Sequence, residues 1–577
     1  MKRIGVIIAV FLICMLTAGG SAEDTPVITW TDYSEPTAAV ESAGRPVMRS
    51  DRLTEEQKSE YYYEPCVLGN AAIKRGEIRA IEFCDSLENA VSDAWDISRA
   101  GDGSVMAWTV DDEKGKKLFI AGQGGITAPK DSSYLFARYD HLEEINFNNC
   151  FFTDNTVDMS FLFNRCESLK SVDVSSFDTG SAKTMQGMFY GCIALTSLDV
   201  TGFNTSNVRN MQSIFRGCTD LDTIDVSGFD TSDVRSMKYM FYNCSGLTSL
   251  DVSGFDTGEA RDLSCMFYGC GNLERLDVSH FDTSNAVDFS SMFYGCSSLE
   301  RIDVRGFKTG NVMDMNSMFS GCTSLAGLDV SKFDTANVIN MQNMFYHCDS
   351  LETIELESFD THNVKSMSHM FAYCGKVTAL KVDGFDTGSV KTMKDMFYQC
   401  DALKAVDVSG FDTGNVTDMS RMFGRCGGLT RIDLSAFSTG NVKNASKMFA
   451  SCGKLTELEV SDRFILLKRE KLEAEEMFDG CPEELEMLRD GSSLSSGEWL
   501  KQATITPGMK YGDKSDSVMW LQRVLAKLGY LSSEADGSFG QETDKALTNY
   551  QMDHLDSGLY PNGVADEGTI KMLCASM

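Results

Sequence analysis

An acidic side chain returns every twenty-six residues at Asp173, Asp199, Asp225, Asp251, Asp277, Asp303 and Asp329. The series continues as Glu355, Asp407, Asp433 and Glu459, with Lys381 interrupting it. Carboxylates stacked at strand spacing, ~4.8 Å, repel one another, so the column needs compensation. Two roles fit: the acids bond backbone amides of the turn that follows, or they form an acidic track for a basic ligand or weakly held calcium. Two residues before each acid the side chain changes from repeat to repeat, through Ser249, Arg275, Arg301, Gly327, Thr353 and Arg431. Specificity resides where a constant scaffold carries a variable position. Asp225, Asp251, Asp277, Asp303 and Asp329 with Arg275, Arg301 and Arg431 are therefore the candidate ligand contacts.

Catalysis has no comparable signature. The six histidines are scattered, and there is no H-E-x-x-H, G-x-S-x-G or G-x-x-x-x-G-K-[ST] pattern. No C-x-x-C occurs to hold a tetrahedral metal. A binding protein without enzymatic activity, metal or cofactor is expected.

The elements that must position the columns follow from the same period, which cysteine marks from Cys166 to Cys452. In the repeat beginning at Cys296, Leu299, Ile302 and Val304 follow the L-x-x-L-x-L spacing of a strand with one apolar face. A corner follows, FDTSNV or FDTGNV in form, as at Phe411–Val416. After it Met315, Met318, Phe319, Cys322 and Leu325 fall on one face of a short helix, preceded in successive repeats by Thr184, Asn210, Ser236, Asp262, Asp288 and Asp314, all good N-caps. The reading is an α/β solenoid of 26-residue coils, each a short parallel strand plus a short helix, in which every coil leans on the next. Twelve equivalent coils show no alternation, so the cysteine ladder reads as buried free thiols. Outside the ladder, Cys66 with Cys84 is the most plausible single bridge, and the sequence leaves open whether it forms.

Residues 1–22 read as a secretory signal peptide, with Lys2, Arg3, an apolar run and Gly20-Ser21-Ala22. Residues 23–60 are polar and poor in pattern, the composition of a mobile segment. Residues 61–134 read as an N-terminal cap and 135–488 as the repeats with their C-terminal cap. Residues 489–506 read as a flexible Gly/Ser linker, and 507–577 as a small all-α, three-helix domain. No later segment is long and apolar enough to span a bilayer. A formal charge of −32 disfavours nucleic acid and anionic lipid as partners.

The coil motif M-F-x-x-C-x-x-L-x-x-I-D-V-x-x-F-D-T-x-N-V-x-x-M, with GDGSVMAWTV and IAGQGGITAP before it, resembles the BspA-like leucine-rich repeat surface proteins over about 95–488. That resemblance implies a surface-binding, adhesin-like role with a protein or glycan ligand. Cys14 follows bulky Leu12 and Ile13, unlike the lipid-attachment cysteine of lipoprotein members. Over about 510–574 the order V518-x-x-L-Q, then Asp536-Gly537-x-Phe539-Gly540-x-x-Thr543, then Tyr550-Gln551, resembles the peptidoglycan-binding module of cell-wall hydrolases. The resemblance implies peptidoglycan as a partner and Asp536, Gly537, Phe539, Tyr550 and Gln551 as candidate contacts. The second half departs from it, with Asn562 for Asp and Asp566 for Gly. A secreted, wall-associated binding protein is expected. Two alternatives stay open: a structural spacer of the wall, and a non-catalytic subunit that steers a separate hydrolase.

Overall fold

Leu328 and Val330 turn inward while Gly327 and Asp329 stay exposed, and this alternation defines the strand segment of each repeat. The structure, a computed structural model, describes residues 44–50, 66–113, 115–467, 476–489 and 492–577. The expected signal peptide, most of 23–60 and the charged stretch 468–475 lie outside the described residues. Gly327–Leu328 pairs in parallel with Thr353–Ile354, Ala379–Leu380 with Ala405–Val406, and Arg431–Leu434 with Glu457–Val460. Each residue of these pairs faces the one twenty-six positions on.

The helix expected in each repeat does not form; among the described residues the repeats contain no α-helix. A ribbon of tight turns stands in its place. Met188 N donates to Met185 O (3.1 Å), Tyr190 N to Gly187 O (3.0 Å) and Cys192 N to Phe189 O (3.2 Å). The intervening amides leave the repeat: Gly187 N donates to Gln212 O (2.8 Å), Phe189 N to Ile214 O (2.9 Å) and Gly191 N to Arg216 O (2.7 Å). Gly187 (φ 59°) and Gly191 (φ 75°) are left-handed, as the third residue of a type II turn must be. The amides decide it: those of Gly187, Phe189 and Gly191 are bonded to the next repeat and so cannot reach the carbonyl four residues back that a helix needs. The turn ribbon keeps repeats close, with Phe189 and Phe215 ring centroids 6.0 Å apart and Phe423 and Phe449 5.5 Å apart. The residues read as N-caps still accept an amide two positions on, as Asn210 Oδ1 does from Gln212 N (3.0 Å) and Asp262 Oδ1 from Ser264 N (3.0 Å), but they open turns.

The corner has its own ladder. Thr309, 1% exposed, donates through Oγ1 to Asp334 O (2.8 Å) and accepts from Asp334 N (2.7 Å), so the threonine of F-D-T stitches one repeat to the next. The Met, Phe, Cys, Leu and Val columns form one contiguous core from Met48 to Ala503.

At the N-terminal end β1 (Ile78–Cys84) lies between β2 (Gly115–Gly122) and β3 (Glu144–Asn146), parallel to both, so the end sheet runs on into the first repeat. Buried Arg75 donates through Nη1 to Tyr134 O (2.8 Å) and Ala137 O (2.6 Å). Cys66 and Cys84 are both free thiols, so the bridge the sequence left open is not formed. Every ladder cysteine is free as well.

Of 489–506, expected as a flexible linker, the described residues form strands and a helix as far as Ile505. β4 (Glu486–Arg489) pairs with the last repeat strand and with β5 (Ser492–Ser495), followed by α1 (Ser496–Ala503) and β6 (Thr504–Ile505), which pairs with Leu466–Leu467. Serine-rich composition misleads here because Ser495 and Glu498 form a capping box and Trp499, 1% exposed, packs on Phe464 and Phe478. Then α2 (Asp516–Lys527), α3 (Gln541–Asp553) and α4 (Glu567–Ser576) close a second core, into which Ile465 and Leu467 reach from the repeat side. The fold is repeat-rich and β-rich, with small sheets and four α-helices among the described residues.

Candidate functional site

The acidic column closes turns. Asp225 Oδ1 accepts from Ser227 N (3.0 Å) and Oγ (2.6 Å), Asp277 Oδ1 from Ser279 N (3.0 Å) and Oγ (2.7 Å), and Asp251 and Asp329 accept from Ser253 N (2.9 Å) and Ser331 N (3.0 Å). Asp303 takes Arg305 N (3.1 Å), Nε (3.0 Å) and Nη2 (2.7 Å). These donors hold the carboxyls below the usual range, Asp303 at about 2. At these five aspartates the stacked charges are thus compensated from within the corner, which is the first of the two roles the sequence allows.

The arginines differ from one another. Arg431 is paired with Glu459 (2.9 Å) and Glu457 (3.5 Å). Arg275 and Arg301 face each other across a parallel backbone bridge, are exposed, and have no ion pair or side-chain hydrogen bond among the described residues. Like charges directly opposed on neighbouring strands are unfavourable. They line a groove of about 1120 Å³ that also takes in Asp251, Asp277, Asp303 and Asp329, so the structure brings six of the eight strand-face candidates together. Asp225 and Arg431 lie outside that groove. Gly327, the next residue in the variable column, leaves its floor open.

In the C-terminal domain most candidates are framework. Gln522 Nε2 donates to Asp536 Oδ1 (2.9 Å), Ser538 O (3.0 Å) and Thr543 Oγ1 (3.1 Å), while its Oε1 accepts from Asp536 N (3.0 Å) and Gly537 N (2.8 Å). Gln551 repeats the pattern, donating to Asn562 Oδ1 (3.3 Å), Val564 O (2.9 Å) and Thr569 Oγ1 (3.2 Å) and accepting from Gly563 N (3.1 Å). Asn562 therefore does in the second half what Asp536 does in the first. Gly537, Phe539, Tyr550 and Gln551 are buried, and Tyr550 bonds Ser576 Oγ at 2.8 Å. Asp536 alone of the five is exposed.

Sequence reasoning missed two features. Gln522 was legible only as the L-Q that matches Y-Q at Tyr550-Gln551. On the turn side, Asp395, 1% exposed, takes His369 Nε2 at 3.1 Å and Arg421 Nη2 at 2.8 Å from the repeats before and after it. The signal was present: His369, Asp395 and Arg421 are twenty-six residues apart.

The family model described as Mycoplasma protein of unknown function, DUF285, matches residues 130–247, 193–302, 221–324, 291–379 and 375–484. A peptidoglycan binding domain model matches 514–573. Among solved structures, the functional domain of InlJ from Listeria monocytogenes, which includes a cysteine ladder, is similar at 13% identity over 61% of this chain and 70% of that one, with a TM-score of 0.17. No curated protein matches the chain. No helix among the described residues is long and apolar enough to cross a membrane. A surface-repeat chain that carries a peptidoglycan-binding domain fits a cell-wall-associated binding role.

Proposed function

The chain belongs to the family described as Mycoplasma protein of unknown function, DUF285, and from that premise we propose a secreted, non-catalytic protein of the cell wall. Its C-terminal domain holds peptidoglycan, and its repeats form a solenoid whose strand face binds a protein or glycan, an adhesin-like role. The single observation that carries the strand-face reading is the Arg275–Arg301 pair. Two exposed arginines on opposed backbone positions, without ion-pair or side-chain hydrogen-bond partners among the described residues, line a groove whose aspartates are already engaged by turn amides, with Glu274, Glu300 and Glu355 as its remaining acids. A spacer gains nothing from such a pair, and a ligand bearing an acceptor does.

The test uses the full chain in two assays. Co-sedimentation with purified peptidoglycan measures wall binding. Probing of glycan and peptide arrays with the native chain and with Arg275→Glu/Arg301→Glu measures the groove. The native chain is expected to pellet with the wall and to give array signals that the double variant loses. Signals unchanged by the double variant would assign the repeats a spacer role.

A further inference from the structure

The three-helix domain does not hang free of the repeats, and its seating creates a cleft that neither body has alone. The corners of two late repeats form one wall, and Lys571 and Cys574 of α4 form the other, enclosing about 500 Å³. Gly440 keeps it open. A Cβ there would lie 3.8 Å from Cys574 Sγ and 3.9 Å from Lys571 Cγ, so any longer side chain would occupy the space.

The cleft is polar, with opposite charges on its walls. Arg463 lines it half-buried, and its guanidinium has no ion pair or hydrogen bond among the described residues. Lys571 adds a second cation, held to Glu567 at 3.1 Å. Asp412 lines the same space, with Oδ1 engaged by Gly414 N at 2.9 Å. Asn441, also in the lining, spends its Nδ2 on Gly414 O at 2.6 Å. A half-buried guanidinium without an acceptor is unfavourable until an anion completes it, and its planar fork suits a carboxylate. Ligand sites favour such seams between bodies.

We infer that the cleft between the last repeats and α4 is a second wall subsite, in which Arg463 receives a free carboxylate of a peptidoglycan stem peptide. The inference rests on the peptidoglycan-binding reading above. Asp412 suits a neighbouring ammonium group, which un-cross-linked stems also carry. The phosphate of glycan-linked wall polymers shares the anionic chemistry, and the test separates the two sources.

Full-length protein is sedimented with intact purified walls, with walls freed of phosphate polymers by hydrofluoric acid, and with glycan stripped of stems by an amidase. Arg463→Ala and Gly440→Leu perturb the cleft from its two sides, and thermal unfolding of each variant checks the fold. Expected are about tenfold weaker pelleting of both variants on intact and acid-treated walls, the loss of one charge-assisted contact, and equal pelleting of all three proteins on stripped glycan. Variants that pellet like the native chain on intact walls would overturn the subsite alone. A deficit that persists on stripped glycan, or one that vanishes after acid treatment, would also overturn it. Failure of the native chain to pellet with any wall would instead overturn the wall-binding reading beneath it.

Discussion

Cys322 Sγ donates to the carbonyl oxygen of Phe293, 3.2 Å away in the repeat before it. That carbonyl also accepts from Cys296 N at 3.2 Å, so the thiol takes up its second lone pair. The contact recurs from Cys192 to Phe163 (3.1 Å) through Cys452 to Phe423 (3.0 Å). The ladder is a row of buried donors, and burial pushes the thiols up to about 12 at Cys270, Cys322 and Cys374. Cys322→Ala is expected to cost about 1–2 kcal/mol, a lost hydrogen bond plus a small void, read as a lower urea midpoint. In native protein a thiol reagent is expected to leave the ladder unlabelled until unfolding.

The period and the inward columns were legible because burial enforces them, and the corner because Asp and Asn close turns through local hydrogen bonds. Met315, Met318 and Phe319 were not, since their spacing serves a helix face and a double turn equally. Asn210 and Asp262 could not decide the matter, because an N-cap and an Asx turn use the same oxygen and the same amide two residues on. The decision belongs to carbonyls of the neighbouring repeat, a tertiary fact. Four of the five C-terminal candidates are buried for a different reason: a motif records residues a fold needs, and Tyr550 and Gln551 are needed inside. On the strand face the position of Arg275 and Arg301 was readable, while the pairing that separates them from Arg431 depends on Glu457 and Glu459 in the next repeat.

Asp314 gives the stability a pH dependence of unusual sign. Burial, reinforced by Asp288, lifts its carboxyl to about 6, against the opposing bonds from Asn316 N and Asn340. A carboxyl raised in the fold binds its proton more tightly there than in the unfolded chain. Its contribution is therefore greatest when it is protonated and declines as pH rises from about 4 to about 6. The turn-closing acids act oppositely, adding stability above their unfolded values and losing it as pH falls through their depressed ones. Asp314→Asn is expected to raise the melting temperature at pH 7 and to flatten the profile between pH 4 and 6. An unchanged slope in calorimetric scans across that window would show that another group carries it.

Asp395 couples three repeats. Its carboxylate is buried between His369 and Arg421, so removal of Arg421 leaves it with the His369 Nε2 contact alone of the two. Because the Arg421 side chain is 41% exposed, the pair is worth less than a fully buried one. A coupling of about 1 kcal/mol is expected in a double-mutant cycle of Asp395→Asn and Arg421→Gln. Additive effects in urea unfolding would mean that solvent already screens the contact.

Asp462 joins the repeats to the C-terminal domain. Its side chain is 3% exposed, with Arg489 Nε at 3.9 Å, Arg523 Nε at 3.6 Å and Lys527 Nζ at 3.5 Å, while its carbonyl accepts from Trp520 Nε1 at 2.9 Å. One buried acid thus holds three cations contributed by β4 and α2, and its loss leaves them facing one another across the seam. Removing one member of a buried ion cluster costs about 3–5 kcal/mol. Lys527 is 47% exposed, which lowers the expectation for Asp462→Ala to about 2 kcal/mol. That cost falls on docking rather than on either core, because Asp462 follows the last repeat strand while its partners Arg523 and Lys527 belong to α2. The variant is expected to melt in two transitions and to be cut by protease within 492–506, where the native chain is expected to resist. A single unshifted transition with that segment still resistant would place the adhesion in β6, Trp499 and the apolar seam, independent of the charges.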